Sequence, residues 1–280
     1  MTNNTKCVII ITENKGADKP TKQKKEIHFM NIVVFDTETI GLNKPWAYNI
    51  GYVIYDTETG EILVAKDFVV EQIWHIEPLF ETAYYADKRP LYVSRMRGKK
   101  CIMKKFGYIT QEMYRDFKKY NIELAYAYNS SFDDKVFTFN CERFMCINPF
   151  DNVNILDIRG NVHNRIAFRD DFQNFCELNN QFTESGNYST TAETVYRYIT
   201  KNMEYTEEHT ALSDSLDELR ILDETIRLGC EYGKEYKTYS SIPRNTPREL
   251  VIKDNDVGMT YTFPYTKRKN KEKGNYIILN

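Results

Sequence analysis

The stretch Asn31-Ile-Val-Val-Phe-Asp-Thr-Glu-Thr-Ile-Gly-Leu42 decides the fold. Its opening apolar run, ending in Asp36, reads as a central strand buried on both faces. Alternate side chains of a strand share a face, so Asp36 and Glu38 point two carboxylates the same way at the strand's end. Carboxylates this close repel each other unless a divalent ion or a shared proton compensates, and hard oxygen donors suit Mg²⁺ or Mn²⁺. Enzymes that transfer phosphoryl groups use two such ions about 4 Å apart. The chain carries its own control, because Asp56-Thr-Glu-Thr59 repeats the string and is followed by Gly60. There it joins two β-rich runs, so Asp56 and Glu58 read as solvated turn residues. What distinguishes Asp36 is the apolar strand before it and Gly41-Leu42 after it, where the chain can swing away and open a cleft.

Outward from this strand, Tyr48–Tyr55 and Ile62–Val70 are β-rich runs joined by a Gly-containing turn, a hairpin signal. Residues 72 to 120 are aromatic and basic, with helices expected over 73–86 and 111–120, before 122–128 returns to strand character. A helix is expected to start near Phe132, and Val153–Asp157 reads as a further strand. Three helical patterns follow, at 165–179, 190–202 and 210–229, the last with Leu216, Leu219, Leu222 and Ile226 toward the core. Antiparallel strands first and alternating α and β afterwards imply an α/β fold, a mixed sheet flanked by helices. Residues 1–29 read as a polar, lysine-rich extension, with a short apolar run at 8–11 that can add an edge strand. Residues 30–233 read as one domain. Residues 234–280 read as a β-rich accessory element, with a hairpin from Leu250 to Phe263 turning at 254–256 and a basic tail from Lys267 to Lys273.

With 280 residues and 41% apolar side chains, the chain can build one sizeable core. Its formal net charge of -2 argues against a surface that coats duplex nucleic acid by charge alone. The sequence lacks an apolar stretch near the roughly 20 residues that span a bilayer, so a cytoplasmic, soluble protein is expected. Six cysteines are scattered without a CxxC or a Cys/His cluster, which reads as reduced thiols and neither a zinc site nor a disulfide framework.

Two further segments carry chemistry. Tyr128-Asn-Ser-Ser-Phe-Asp133 is a strand end running into a helix start, where the helix dipole favours the charge of Asp133. Taken alone, Ser130, Ser131 and Asp133 read equally well as capping residues. Glu207-Glu-His-Thr-Ala-Leu-Ser-Asp214 opens an amphipathic helix, and in isolation His209 would be a polar loop residue and Asp214 a solvated acid.

Together the three segments resemble the DEDDh branch of the DnaQ-like 3′-to-5′ exonuclease family, which has a ribonuclease H-like fold. Asp36, Glu38, Thr39, Gly41 and Leu42 match its first motif. Asn129, Phe132 and Asp133 match the second, which favours Asp133 over Asp134, and His209, Ala211 and Asp214 match the third. The resemblance covers roughly residues 30 to 229, with Ile50-Gly51 where the family's second strand begins. Ile40 departs from the pattern where many relatives have a second Thr. The stretch from about 72 to 120 is longer than a minimal domain needs, and neither terminal extension matches.

The resemblance implies that Asp36, Glu38, Asp133 and Asp214 hold two Mg²⁺ or Mn²⁺ ions. It implies that His209 is the general base for a water attacking the terminal phosphodiester of single-stranded DNA or RNA. An unperturbed histidine pKa near 6.5 suits that task. It also makes Thr37, Thr39, Leu42 and Asn129 candidates for binding the 3′ end, and a polymerase or another replication or repair protein a candidate partner. The 72–120 stretch interleaves aromatics and cations (Trp74, His75, Tyr84, Tyr85, Arg89, Tyr92, Arg95, Arg97, Lys99, Lys100), as a single-strand groove does, and reads equally well as core and surface. His28 and His163 have no partner motif. The competing functions are hydrolysis of short oligonucleotides or nucleotide signals, and a nucleic-acid-binding subunit on a nuclease fold.

Overall fold

The computed structural model describes residues 30–244, 248–254 and 259–265. In chain order, β1 (Asn31–Thr39), β2 (Ala47–Asp56) and β3 (Glu61–Val70) precede the short helices α1 (Glu71–Trp74) and α2 (Glu77–Phe80). A 3₁₀ turn at Ala86–Lys88, α3 (Arg89–Arg97), β4 (Ile102–Lys104), α4 (Phe106–Lys119) and β5 (Leu124–Ala127) follow. Then come α5 (Ser131–Phe144), β6 (Asn154–Asp157), α6 (Ile158–Arg165), α7 (Asp170–Leu178), α8 (Ala192–Thr200) and α9 (Ala211–Arg227). β7 (Arg248–Asp254) and β8 (Met259–Tyr265) pair antiparallel as a separate two-stranded sheet, the C-terminal hairpin expected from the sequence. The N-terminal extension with His28 and Cys7, the turn after Asp254 and the basic tail lie outside the described residues.

Six strands form one sheet in the order β4-β3-β2-β1-β5-β6. β2 runs antiparallel to both β1 and β3, and β5 and β6 run parallel to β1, the mixed sheet expected from the sequence. Ile32 to Phe35 of β1 have no exposed surface, because helices cover both faces. Val33 and Phe35 pack under α4 and α5 with Met113, Phe137 and Phe150. Ile32 and Val34 pack under α6 to α9 with Val162, Phe172, Val195 and Leu222. β4 was not foreseen, since three residues carry too little pattern to read as a strand.

Several expected elements differ. The single helix over 73–86 is broken into α1, α2 and a turn, because Pro78 lacks a backbone N–H and is accommodated only in the first turn of a helix. Pro90 likewise starts α3, a helix the sequence pattern did not suggest. The helix expected at 165–179 is the shorter α7, and α6, which the sequence pattern did not suggest, precedes it, capped by Asp157 accepting the Arg159 N–H. Leu216 is exposed rather than in the core, and Ile221 is buried in its place. The buried stripe of α9 runs instead through Ala211, Ser215, Leu222 and Thr225.

That turn of α9 is dictated by its approach to β2. A Cβ at Gly51 would overlap the backbone of Ala211 and Leu212, so the start of α9 lies directly on the strand. Ser215 Oγ reinforces the seam, donating to the carbonyls of Ala211 and Gly51. The segment after α9 also packs on this domain. Thr238 donates to Asp157, the Tyr188 N–H donates to the Ile242 carbonyl, and Ile242 is buried. His163 is the anchor of this segment: its Nδ1 accepts the Tyr239 N–H and its Nε2 faces Thr190 Oγ1 at 3.0 Å. Burial, with Arg159 nearby, pushes its pKa down to about 4, so the neutral ring keeps both bonds. The five described cysteines are free, and among the described residues no helix is long and apolar enough to cross a membrane.

Gly51→Ala is expected to lower stability by about 2 kcal/mol or more, because backbone rather than a pliant side chain meets the added methyl. A denaturant titration measures it; a change below about 0.5 kcal/mol would show that α9 does not depend on this approach.

Candidate active site

The sheet opens where β1 outruns its parallel neighbour. β1 and β5 are paired only at Val33–Ala125 and Val34–Tyr126, while β1 continues to Thr39 and β5 stops at Ala127. Helix α5 starts in that gap. Asp133 in its first turn is buried, and the hydroxyl of Thr37 donates to Asp133 Oδ1 at 2.6 Å. Strand alternation explains the arrangement: Asp36 and Glu38 face α9, and Thr37, pointing the other way, meets α5. Ser130 is the N-cap residue of α5 but makes no side-chain capping bond, and Ser131 and Asp133 lie in the first turn.

From the opposite side, α9 brings Asp214 in its first turn, and the loop before it brings His209. Glu38, His209 and Asp214 each offer a ligand atom, all within 4.8 Å of one another. Asp36 lies close enough for its charge to raise the pKa of Glu38, Asp133 and Asp214. The structure therefore brings all five sequence-predicted residues to one place.

A sixth group is present that the motifs do not name. Glu218 sits one turn beyond Asp214 on the same side of α9, and only 4% of it is exposed. Its Oε2 and Asp214 Oδ1 are buried without a hydrogen-bond partner among the described residues. Burial, then the charges of Asp36, Asp133 and Asp214, raises its pKa. The same cause leads at every acid of the group: Asp36 is pushed to about 7, Asp214 to about 10, and Glu38 and Asp133 well up. Unpaired buried carboxylate oxygens are costly, and a hard divalent cation is the partner that would satisfy them. The i, i+4 spacing to Asp214 was the available signal, masked by the amphipathic pattern of leucines around it.

Glu207 is a second acid outside the motifs. Its Oε2 lies 3.9 Å from His209 Nδ1, and burial, followed by the charges of Glu193 and Asp36, pushes it to about 7. The His209 backbone is left-handed, with φ of 53°, a conformation that costs a non-glycine residue about 1 kcal/mol. Burial, then Lys88, lowers the imidazole pKa, which favours the neutral, proton-accepting ring.

The residues expected to bind a 3′ end are placed differently from one another. Leu42 is 73% exposed and Asn129 is exposed, both beside the cleft. Thr39 is half-buried, with its hydroxyl 3.4 Å from the Gly41 carbonyl, and Thr37 is buried with its hydroxyl committed to Asp133. Ile40 fills core space, and Asp56 and Glu58 form the expected turn, Asp56 Oδ1 accepting the Glu58 and Thr59 N–H groups. In the aromatic and basic stretch, Trp74 and Tyr92 are core residues and Arg89 lies over Trp74 and Phe80. Arg95 is paired with Asp67 and Glu208. His75, Tyr84, Arg97, Lys99 and Lys100 are exposed.

No family model and no curated protein matches the chain. Among solved structures it is similar to E. coli Exonuclease I in complex with a dA16 oligonucleotide, at 16% identity and a TM-score of 0.46, covering 71% of this chain and 42% of that one. A complex of the same enzyme with a dT13 oligonucleotide gives 15% and 0.49, covering 70% of this chain and 40% of that one. A 3′-exonuclease described by its 3′-end specific recognition of a histone mRNA stem-loop gives 14% and 0.48, covering 79% of this chain and 73% of that one. The chain thus spans about two fifths of the Exonuclease I chains that it matches.

Without divalent cations, Glu218→Gln is expected to raise the melting temperature by several degrees, by removing a buried acid that Asp36, Asp133 and Asp214 repel. The sign with pH follows from the raised pKa values. Each such acid holds its proton in the folded state over a range where the unfolded chain has lost it, so metal-free stability falls as pH rises from about 4.5 upward. The advantage of the variant should grow over the same range. Scanning calorimetry in EDTA between pH 5 and 9 tests this, and a variant no more stable than wild type at pH 8 would contradict it.

Proposed function

We propose that the chain is a metal-dependent 3′-to-5′ exonuclease that hydrolyses phosphodiester bonds at single-stranded DNA or RNA ends. The observation that carries this reading is the meeting of Asp36, Glu38, Asp133 and Asp214 with His209 from three separate stretches of chain, with buried carboxylate oxygens left unpartnered. Asp36, Glu38, Asp133 and Asp214 are the residues that would hold Mg²⁺ or Mn²⁺. Two such ions, when bound, supply the Lewis acidity that ionises water near neutral pH and offsets charge on the phosphodiester.

The protein's own groups do the rest. Thr37 fixes the rotamer of Asp133 through its hydrogen bond, so that acid is oriented before any ligand arrives. His209, neutral at working pH, accepts the proton of the attacking water. Leu42 and Asn129, both exposed, would contact the terminal nucleotide. Exposed Arg97, Lys99 and Lys100 offer phosphate contacts further along a strand.

The test is incubation of the full chain with 5′-labelled single-stranded DNA and RNA of matched sequence, in Mg²⁺, Mn²⁺ or EDTA. A metal-dependent ladder shortening from the 3′ end is expected, and absence of cleavage on both polymers would overturn the reading. Asp36→Asn should abolish cleavage and Mn²⁺ binding by calorimetry. His209→Ala should slow turnover about 10²- to 10⁴-fold while Mn²⁺ still binds. Equal loss of metal binding in both variants would contradict the division of roles.

A further inference from the structure

The loop that carries His209 is held from outside the motifs. Its backbone at His209 is left-handed, so the imidazole is presented only if surrounding contacts enforce that geometry. Three such contacts come from the stretch between β3 and β4. The Tyr85 ring stacks on the His209 ring, with centroids 4.0 Å apart and planes within 15°. The hydroxyl of fully buried Tyr92 lies 2.9 Å from Asn49 Oδ1 and 3.3 Å from the His209 carbonyl. Arg95 donates to Glu208 on one side and to buried Asp67 on the other, both at 2.9 Å.

These contacts converge on one joint. Asn49 is the strand partner of Glu38 across β1 and β2 and has no exposed surface. Its Oδ1 accepts the Ala211 N–H at the start of α9, and its Nδ2 donates to Asp67. One hydrogen-bond network therefore links the strand opposite the catalytic acids, the first turn of the helix carrying Asp214, and the inserted segment. Of the three contacts from the inserted segment, the stacking of Tyr85 is the one made to the imidazole itself. Its ring covers one face of the base and leaves the ring edge, where the nitrogens lie, turned to the carboxylates.

We propose that the 71–101 segment between β3 and β4 is a clamp that sets the orientation of His209, with Tyr85 its positioning residue. This rests on the nuclease reading above for its consequence in turnover, but the orientation itself can be read without activity. Tyr85 acts by packing against the imidazole and not through its hydroxyl. Misplacing a general base by an ångström costs up to about 10²-fold in rate, so removing the ring should lower kcat with little effect on substrate or metal affinity.

The experiment compares wild type, Tyr85→Ala, Tyr85→Phe, His209→Ala and the double variant Tyr85→Ala/His209→Ala, all as the full chain. Proton–carbon NMR of the histidine rings reports the ring-current shift that Tyr85 imposes on His209, whose signals are identified by their loss in His209→Ala. Steady-state cleavage of a labelled oligonucleotide and Mn²⁺ calorimetry report kcat, KM and metal affinity. Tyr85→Ala should lose the shift and about tenfold or more in kcat, with KM and Mn²⁺ affinity within about twofold of wild type, while Tyr85→Phe retains all of them. The double variant should be no slower than His209→Ala, because Tyr85 acts only through the imidazole. Retention of the ring-current shift in Tyr85→Ala, an unchanged kcat, or further slowing in the double variant would overturn the proposal. If wild type cleaves nothing, the nuclease reading falls, and the ring-current comparison alone decides whether Tyr85 orients His209.

Discussion

The lost hydration of carboxylates gathered at the end of β1, with their repulsion added to it, is the constraint to which the rest of the structure answers. Two unit charges 5 Å apart interact by about 3 kcal/mol at the effective dielectric of a protein surface; here burial raises the pKa of Asp36, Glu38, Asp133, Asp214 and Glu218, and the charge of Asp36 adds to it at the other four. Left to itself such a cluster would push its elements apart. It is held because the acids sit on elements fixed by large apolar cores on both faces of the sheet. The close approach of α9 to Gly51 leaves little room for that helix to withdraw. In the proposed function, this cost is what a bound divalent cation would offset, so that a site destabilising in isolation would become useful.

The two sides of the cleft are built differently. Asp36, Glu38 and Asp133 come from β1 and the start of α5, where a buried strand and the Thr37–Asp133 hydrogen bond leave few rotamers open. His209 comes from a loop whose geometry is unfavourable on its own, and its restraint is imported from a segment more than a hundred residues earlier in the chain. In the proposed function, rigid acids and a separately held base would let metal binding and proton transfer be tuned independently. Asn49 joins the two sides, being the register partner of Glu38 and the acceptor for the first turn of α9.

Much of this was legible in the sequence where local pattern and chemistry coincide. The apolar run before Asp36 and the alternation to Glu38 give both the strand and the shared face. The position of Asp133 just inside a helix start, and of His209 before α9, follows from element order. What was hidden depends on pairs distant in sequence. Glu218 reads as one more charge on an amphipathic helix until the helix's rotation is known, and that rotation is set by Gly51, so Leu216 was assigned inward when it faces solvent. The aromatics and cations after β3 read equally well as a nucleic-acid groove and as core and surface; Trp74 and Tyr92 are core and Arg95 is internally paired. Composition cannot separate a stacking platform from a buried aromatic cluster, since both need the same residues.

The central claim is that these carboxylates form a divalent-metal centre, and diffraction from crystals grown with Mn²⁺, recorded at the manganese absorption edge, addresses it directly. The account predicts two anomalous peaks roughly 4 Å apart among Asp36, Glu38, Asp133 and Asp214. An empty carboxylate cluster in crystals that carry Mn²⁺ elsewhere would contradict it.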